Sequence, residues 1–166
     1  MQNVEQVVNF LSKYKLRLAT AESCTAGLIS SLVADVPGSG KVLDCAFVTY
    51  SPQAKQRCLG VSADTIERFG LTSEEVAREM ALGALLRSDA DIVLANTGLA
   101  EAEGEMDGVQ CIACAIRLEQ HQGIVSETVK FSGGRNQVRE QAARYALMQL
   151  PYYYERLRQG VAPAVR

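Results

Sequence analysis

The chain has 166 residues, 48% apolar and 22% charged, and a formal net charge of −2 from 17 basic and 19 acidic side chains. That length supports one substantial core, expected as a single domain over residues 1–166, and the composition argues against disorder. The charge balance gives no electrostatic reason to expect nucleic acid as a partner; with no ~18-residue apolar run and no basic-then-apolar leader, a soluble cytoplasmic protein away from the membrane is expected.

In chain order, Val4, Val7, Val8 and Leu11 recur at helical spacing within residues 3–14. A short strand is expected over 16–20. After a turn at Ser23, Leu28, Ile29, Leu32 and Val33 form the face of a second helix ending near Asp35, before Pro37 and Gly38. Residues 42–50 read as a strand. Ser51 is placed to cap a short helix with Pro52 at its first position and Gly60 at its end, and Ser62 and Gly70 bracket another. Thr72-x-x-Glu75 reads as a capping box opening a longer helix to about Arg87. An apolar strand at 91–96 runs into Asn96-Thr97-Gly98, followed by an acidic loop with Glu101, Glu103, Glu105 and Asp107. Strands at 109–118 and 124–131 should pair as an antiparallel hairpin. A last helix begins near Arg135 and is expected to bend or stop at Pro151. The alternation followed by a hairpin indicates an α/β fold, a three-layer α/β/α sandwich with a mixed sheet.

Five cysteines without a secretion signal read as reduced, mostly buried thiols. Cys111-x-x-Cys114 lies inside a strand-like run, where positions i and i+3 face opposite sides, so a redox pair is not expected. His121 is the one histidine, and no cluster has metal-ligand spacing, so no metal site is expected. Pro37-Gly38-Ser39-Gly40-Lys41 is not a phosphate loop, because Asp35 and Val42 occupy positions that need glycine and a hydroxyl residue, and a helix precedes it rather than a strand.

Thr20-Ala21-Glu22-Ser23-Cys24-Thr25-Ala26-Gly27 places a small hydroxyl nucleophile at a strand-to-helix turn, where backbone N–H groups point outward. Phe47-Val48-Thr49-Tyr50-Ser51-Pro52-Gln53-Ala54-Lys55 offers a tyrosine and a lysine at a second such turn. A serine needs a base to remove its proton. With His121 confined to a polar hairpin turn, Lys55 is the other candidate. At the ordinary lysine pKa of ~10.4, only about one amine in 2,500 is neutral at pH 7, a deficit of roughly 4.6 kcal/mol that burial has to offset. The residues alone leave Lys55 open between a base and an exposed helix lysine, and Ser23 between a nucleophile and a helix cap. Tyr50 stays open between a relay hydroxyl and a wetted strand tyrosine, and Cys24 is a rival nucleophile without a histidine partner.

These segments, with Gly38-Ser39, Leu59-Gly60-Val61, Ser73-Glu74-Glu75-Val76-Ala77-Arg78-Glu79-Met80, Thr97-Gly98 and the Gly134-Arg135 to Arg139 stretch, closely resemble the CinA C-terminal domain family. The resemblance runs from about Val4 to Leu150. It implies a fold like the anticodon-binding-domain sandwich, a homodimer or higher homo-oligomer, and a cofactor-independent amidohydrolase acting on a small pyridine nucleotide, nicotinamide mononucleotide. It further implies Ser23 as nucleophile, Lys55 as base and Tyr50 as accessory hydroxyl. The turn at Thr25, Ala26 and Gly27 is expected to stabilise the oxyanion, Thr97 and Gly98 to line the substrate, and Arg135 and Arg139 to meet its phosphate. Two departures stand out. Ala26 replaces a family glycine, and Thr97-Gly98-Leu99-Ala100-Glu101-Ala102 replaces a glycine- and proline-containing loop. The second class of reading is therefore a diverged paralogue that keeps the fold as a nucleotide-binding or regulatory domain.

Overall fold

The computed structural model describes residues 3–119 and 121–160. In chain order they form α1 (Val4–Lys13), β1 (Leu18–Glu22), α2 (Leu28–Ala34), β2 (Leu43–Val48), α3 (Pro52–Leu59), α4 (Ala63–Phe69), α5 (Glu74–Leu86), β3 (Ile92–Gly98), β4 (Val109–Leu118), β5 (His121–Lys130) and α6 (Arg135–Arg158). The sheet order is β2-β1-β3-β4-β5; β2, β1 and β3 run parallel, and β4 and β5 are antiparallel additions. The expected mixed sheet is present.

Alternation along the central strands divides the core into two faces. Leu18, Ile92, Leu94, Ile112, Cys114 and Ile116 pack with α1, α2 and α6. Ala19, Ala21, Val93, Ala95, Cys111, Ala113 and Ala115 pack against α5, which in turn carries α3 and α4. Small side chains dominate this second face. Gly83 of α5 sits so close to α3 that a Cβ there would lie 1.9 Å from the Leu59 carbonyl oxygen. Cys111 and Cys114 fall on opposite faces, and burial pushes both thiols above their ordinary pKa.

Local chemistry explains where the elements differ from the spacing. The first strand starts at Leu18 rather than 16, because Lys15 leaves α1 in the left-handed region (φ 55°) and Arg17 N–H is held by Asp91 Oδ2. The cap of α5 is Ser73, whose hydroxyl accepts from Val76 N–H, so Thr72 is not the first member of a capping box. The fifth strand begins at His121 rather than 124, paired to Leu118. Pro151 neither stops nor ends α6, which runs on to Arg158. A proline inside a helix costs ~3 kcal/mol. Beyond it Tyr153, Tyr154 and Leu157 are buried, each contributing about 1.5–3 kcal/mol. Tyr145 and Tyr153 also donate hydroxyl hydrogen bonds to Glu127 of β5, fastening the helix to the sheet edge.

Candidate active site

The parallel register sets the site. Glu22 pairs with both Val48 and Asn96, so Ser23, Thr49 and Thr97 emerge together at one edge of the sheet. Gly98 pairs with Gln110, which brings the start of β4 to the same edge. His121 belongs to the opposite end: it pairs with Leu118, eight residues along β4 from Gln110, or about 25 Å at strand rise. It is not a partner for Ser23.

Lys55 lies in the first turns of α3, capped by the Ser51 hydroxyl on Ala54 N–H. Its side chain is 1% exposed and points to the sheet edge. Nζ donates to Ser23 Oγ at 2.8 Å, to the Thr49 carbonyl at 2.7 Å and to the Tyr50 carbonyl at 3.0 Å. No carboxylate forms an ion pair with it among the described residues. Burial therefore lowers its pKa, from 10.5 to about 8. At pH 7 the cost of the neutral amine falls from nearly 5 to roughly 1.4 kcal/mol. In that neutral form the two carbonyls hold both N–H groups, and the lone pair is left facing the Ser23 hydroxyl. The amine thus stands within hydrogen-bond reach of the hydroxyl, with a lone pair free to accept its proton.

Tyr50 contributes through its main chain. Its side chain is 59% exposed, and the hydroxyl accepts from Arg135 Nη2 at 3.2 Å rather than touching the lysine amine. The turn after Ser23 also departs from expectation. Thr25 N–H donates to Asn96 Oδ1, Ala26 N–H to the Ser23 carbonyl, and Gly27 N–H to Glu22 Oε1. None of these three is available to an oxyanion. From Ser23 to Ser30, only the N–H of Cys24 has no partner among the described residues.

Glu22, Asn96 and Gln110, to which sequence reasoning gave no role, also converge on this centre. The buried Glu22 carboxylate accepts from the Thr20 and Thr25 hydroxyls and from the N–H groups of Gly27, Ile29 and Ser30. It occupies the positive end of α2 from within. Asn96 accepts Ser23 N–H on its carbonyl at 3.0 Å and Thr25 N–H on its side chain at 3.1 Å. Its amide then donates to Gln110 Oε1 at 2.8 Å, and Gln110 Nε2 reaches Cys24 Sγ at 3.5 Å. A polar residue at the start of the apolar run Val109–Ile116 was the available signal for Gln110.

The remaining candidates surround this centre. Thr97 is buried and donates to the Leu71 carbonyl at 2.8 Å. Gly98 makes room for Gln110, since a Cβ there would lie 2.3 Å from Gln110 Oε1. Arg139 is turned inward, with Nε on the Cys24 carbonyl at 2.9 Å and Nη2 near the Thr25 carbonyl at 3.4 Å. Arg135 stays half-exposed at the rim, 3.9 Å from Glu101. Ala26 has φ 47° and Gly27 φ 95°, so alanine occupies a left-handed position that favours glycine.

Residues 1–153 match the model of the CinA C-terminal domain. The chain belongs to that family. It is 38% identical over 152 residues to the nicotinamide-nucleotide amidohydrolase PncC of Escherichia coli, covering 90% of this chain and 92% of that protein. It is 41% identical over 143 residues to a putative competence-damage inducible protein of Caldicellulosiruptor saccharolyticus, covering 86% of this chain but 35% of that one. The chain thus spans about a third of the length of such longer relatives. Among solved structures, the competence/damage inducible protein CihA of Agrobacterium tumefaciens superposes with a TM-score of 0.83 at 32% identity, over 90% of this chain and 94% of that one. A CinA superfamily protein of Escherichia coli gives 0.80 at 36% identity, over 90% and 89%.

Proposed function

We propose that this CinA-family chain is a serine–lysine amidohydrolase that converts nicotinamide mononucleotide to nicotinate mononucleotide and ammonia. The observation that carries the reading is the buried Lys55 amine, 2.8 Å from Ser23 Oγ and held by two carbonyls without a carboxylate partner. The substrate comes from the likeness to the Escherichia coli amidohydrolase over nearly the whole of both chains.

In this reading Ser23 Oγ attacks the carboxamide carbon while its proton passes to Lys55 Nζ. The Thr49 and Tyr50 carbonyls then stabilise the new ammonium. The negative oxygen of the tetrahedral intermediate falls to Cys24 N–H, the donor left open in the turn. Lys55 returns the proton to the departing nitrogen, ammonia leaves, and the nicotinoyl group remains esterified to Ser23. A water molecule, deprotonated by the same amine, attacks that ester and frees the acid. Arg135 at the rim is the cation for the phosphate. Arg139, already committed to the turn carbonyls, holds the nucleophile loop.

Ammonia release from nicotinamide mononucleotide by the purified protein tests the proposal. Turnover that vanishes in Ser23→Ala and in Lys55→Ala is the expected result. No release at high enzyme concentration from a folded protein overturns it in favour of the diverged binding domain.

A further inference from the structure

Asn96 and Gln110 lie wholly buried at the end of β3 and the start of β4, and neither side chain hydrogen-bonds a lysine or a carboxylate among the described residues. Together they touch three consecutive residues of the nucleophile turn: Ser23 and Thr25 through Asn96, and Cys24 through Gln110. Thr25 N–H can pair only with the oxygen of Asn96, but side-chain amides rotate readily, and an Asn96 whose nitrogen had no partner could turn that oxygen away. Gln110 removes that freedom. Its Oε1 accepts from Asn96 Nδ2, which leaves Asn96 Oδ1 facing Thr25 N–H. The space for this arrangement is itself built in, because any side chain at Gly98 would collide with the Gln110 amide.

We infer that Asn96 and Gln110 are positioning residues that hold the Ser23 turn in its reactive geometry. The pair acts as a latch: β4 fixes Gln110, Gln110 fixes the Asn96 amide, and the amide holds Thr25 N–H two residues past the nucleophile, while the Asn96 main-chain carbonyl holds the N–H of Ser23 itself. Neither side chain contacts Lys55, so the latch governs where Ser23 Oγ sits and not how basic its partner is. An error near 1 Å in such a placement costs on the order of a hundredfold in rate. The inference rests on Ser23 being the nucleophile, as in the proposed function, but not on the identity of the amide substrate.

A substrate-independent probe separates the two. An alkyl fluorophosphonate reports Ser23 directly: the Oγ–P bond forms, the P–F bond breaks, fluoride leaves, and Lys55 takes the serine proton. The rate is followed by intact mass, and reversible binding of nicotinate mononucleotide is measured in parallel. Gln110→Met keeps the length of the side chain but breaks the latch. It should slow labelling ten- to a hundredfold and leave product affinity within twofold. Gln110→Glu keeps the shape and an acceptor for Asn96 Nδ2 and should recover most of the lost rate, whereas a space-filling role predicts no slowing in the equally long methionine variant to begin with. Should the methionine variant fail to fold, Gln110→Leu, which likewise removes the partner of Asn96 Nδ2, is expected to show the same slowing. Labelling of Gln110→Met, or of Gln110→Leu in its place, within threefold of the parent overturns the inference. So does Gln110→Glu labelling no faster than Gln110→Met, or a loss of rate and affinity by the same factor. Normal labelling of the parent without ammonia release would instead remove the proposed substrate and leave the latch standing.

Discussion

The sharpest test of the Ser23–Lys55 pair is the dependence of kcat/KM on pH between 7 and 10. Only the neutral amine can take the serine proton, so activity must rise with pH and level off once Lys55 has lost its proton. With burial holding the amine at about 8, roughly one molecule in eleven is competent at pH 7 and ten in eleven at pH 9. The expected gain across those two units is about tenfold, and from pH 9 to 10 only about 1.1-fold. An exposed lysine at 10.5 would behave otherwise. It would gain nearly a hundredfold over the first interval and about eightfold over the second, still climbing at pH 10. The working range lies above the second phosphate ionisation near pH 6, so substrate charge stays constant. Ammonia release is measured with the uncatalysed rate subtracted at each pH, and recovery of activity on return to pH 7 confirms an intact fold. A slope of one that persists to pH 10, or a profile flat from pH 7, refutes Lys55 as a buried general base.

Three further outcomes are expected. Cys24→Ala should retain most of the activity, because among the described residues the thiol's one hydrogen-bond partner is the Gln110 amide and no base faces it; its inactivation in a folded protein, with Ser23→Ala still active, would reverse the assignment of nucleophile. Ala26→Gly should raise the thermal midpoint, by up to about 1 kcal/mol of stability, since it relieves a left-handed alanine at an exposed position; a lower midpoint would show that glycine's extra freedom in the unfolded chain outweighs that strain. Glu101→Gln should lower KM for the mononucleotide about twofold to fivefold, and less at high salt, by freeing Arg135 from an exposed pair of roughly 0.2–1 kcal/mol; the same exchange at Glu103, which forms no ion pair with Arg135 among the described residues, should have a smaller effect, and equal effects at both positions would dismiss the pairing.

Local signals in the chain were read well wherever one residue decides its own surroundings. Ser51, Pro52 and Gly60 bound α3, and Ser62 and Gly70 bound α4, because caps act over three or four residues. The same locality misleads at Thr72, where the neighbouring Ser73 takes the cap, and at Pro151, where buried side chains further along outweigh the missing N–H. Ser23 and Lys55 are legible as a candidate pair, but the 2.8 Å distance between them depends on the β1–β2 register, which no local signal carries. Tyr50 illustrates the limit: the residue type suggested a hydroxyl, whereas the structure uses its carbonyl. Glu22 is the local case, since all its partners lie within eight residues and only the turn into α2 gathers them, whereas the partners of Asn96 are set by the sheet. Asn96 meets Thr25 across 71 positions of sequence, a distance over which no spacing rule operates.

The bare contact between Gly83 and Leu59 gives α5 an influence over chemistry it never touches. Lys55 and Leu59 are the two buried residues of α3, one helical turn apart, so the depth at which the amine enters follows from how closely the two helices approach. Alanine at 83 forces α3 and α5 apart, and any lift of the amine toward solvent raises its pKa from about 8 toward the ordinary 10.5. Inactive variants at position 83 would then be mistaken for folding defects, yet they would regain activity in alkaline buffer, as no merely unfolded protein does.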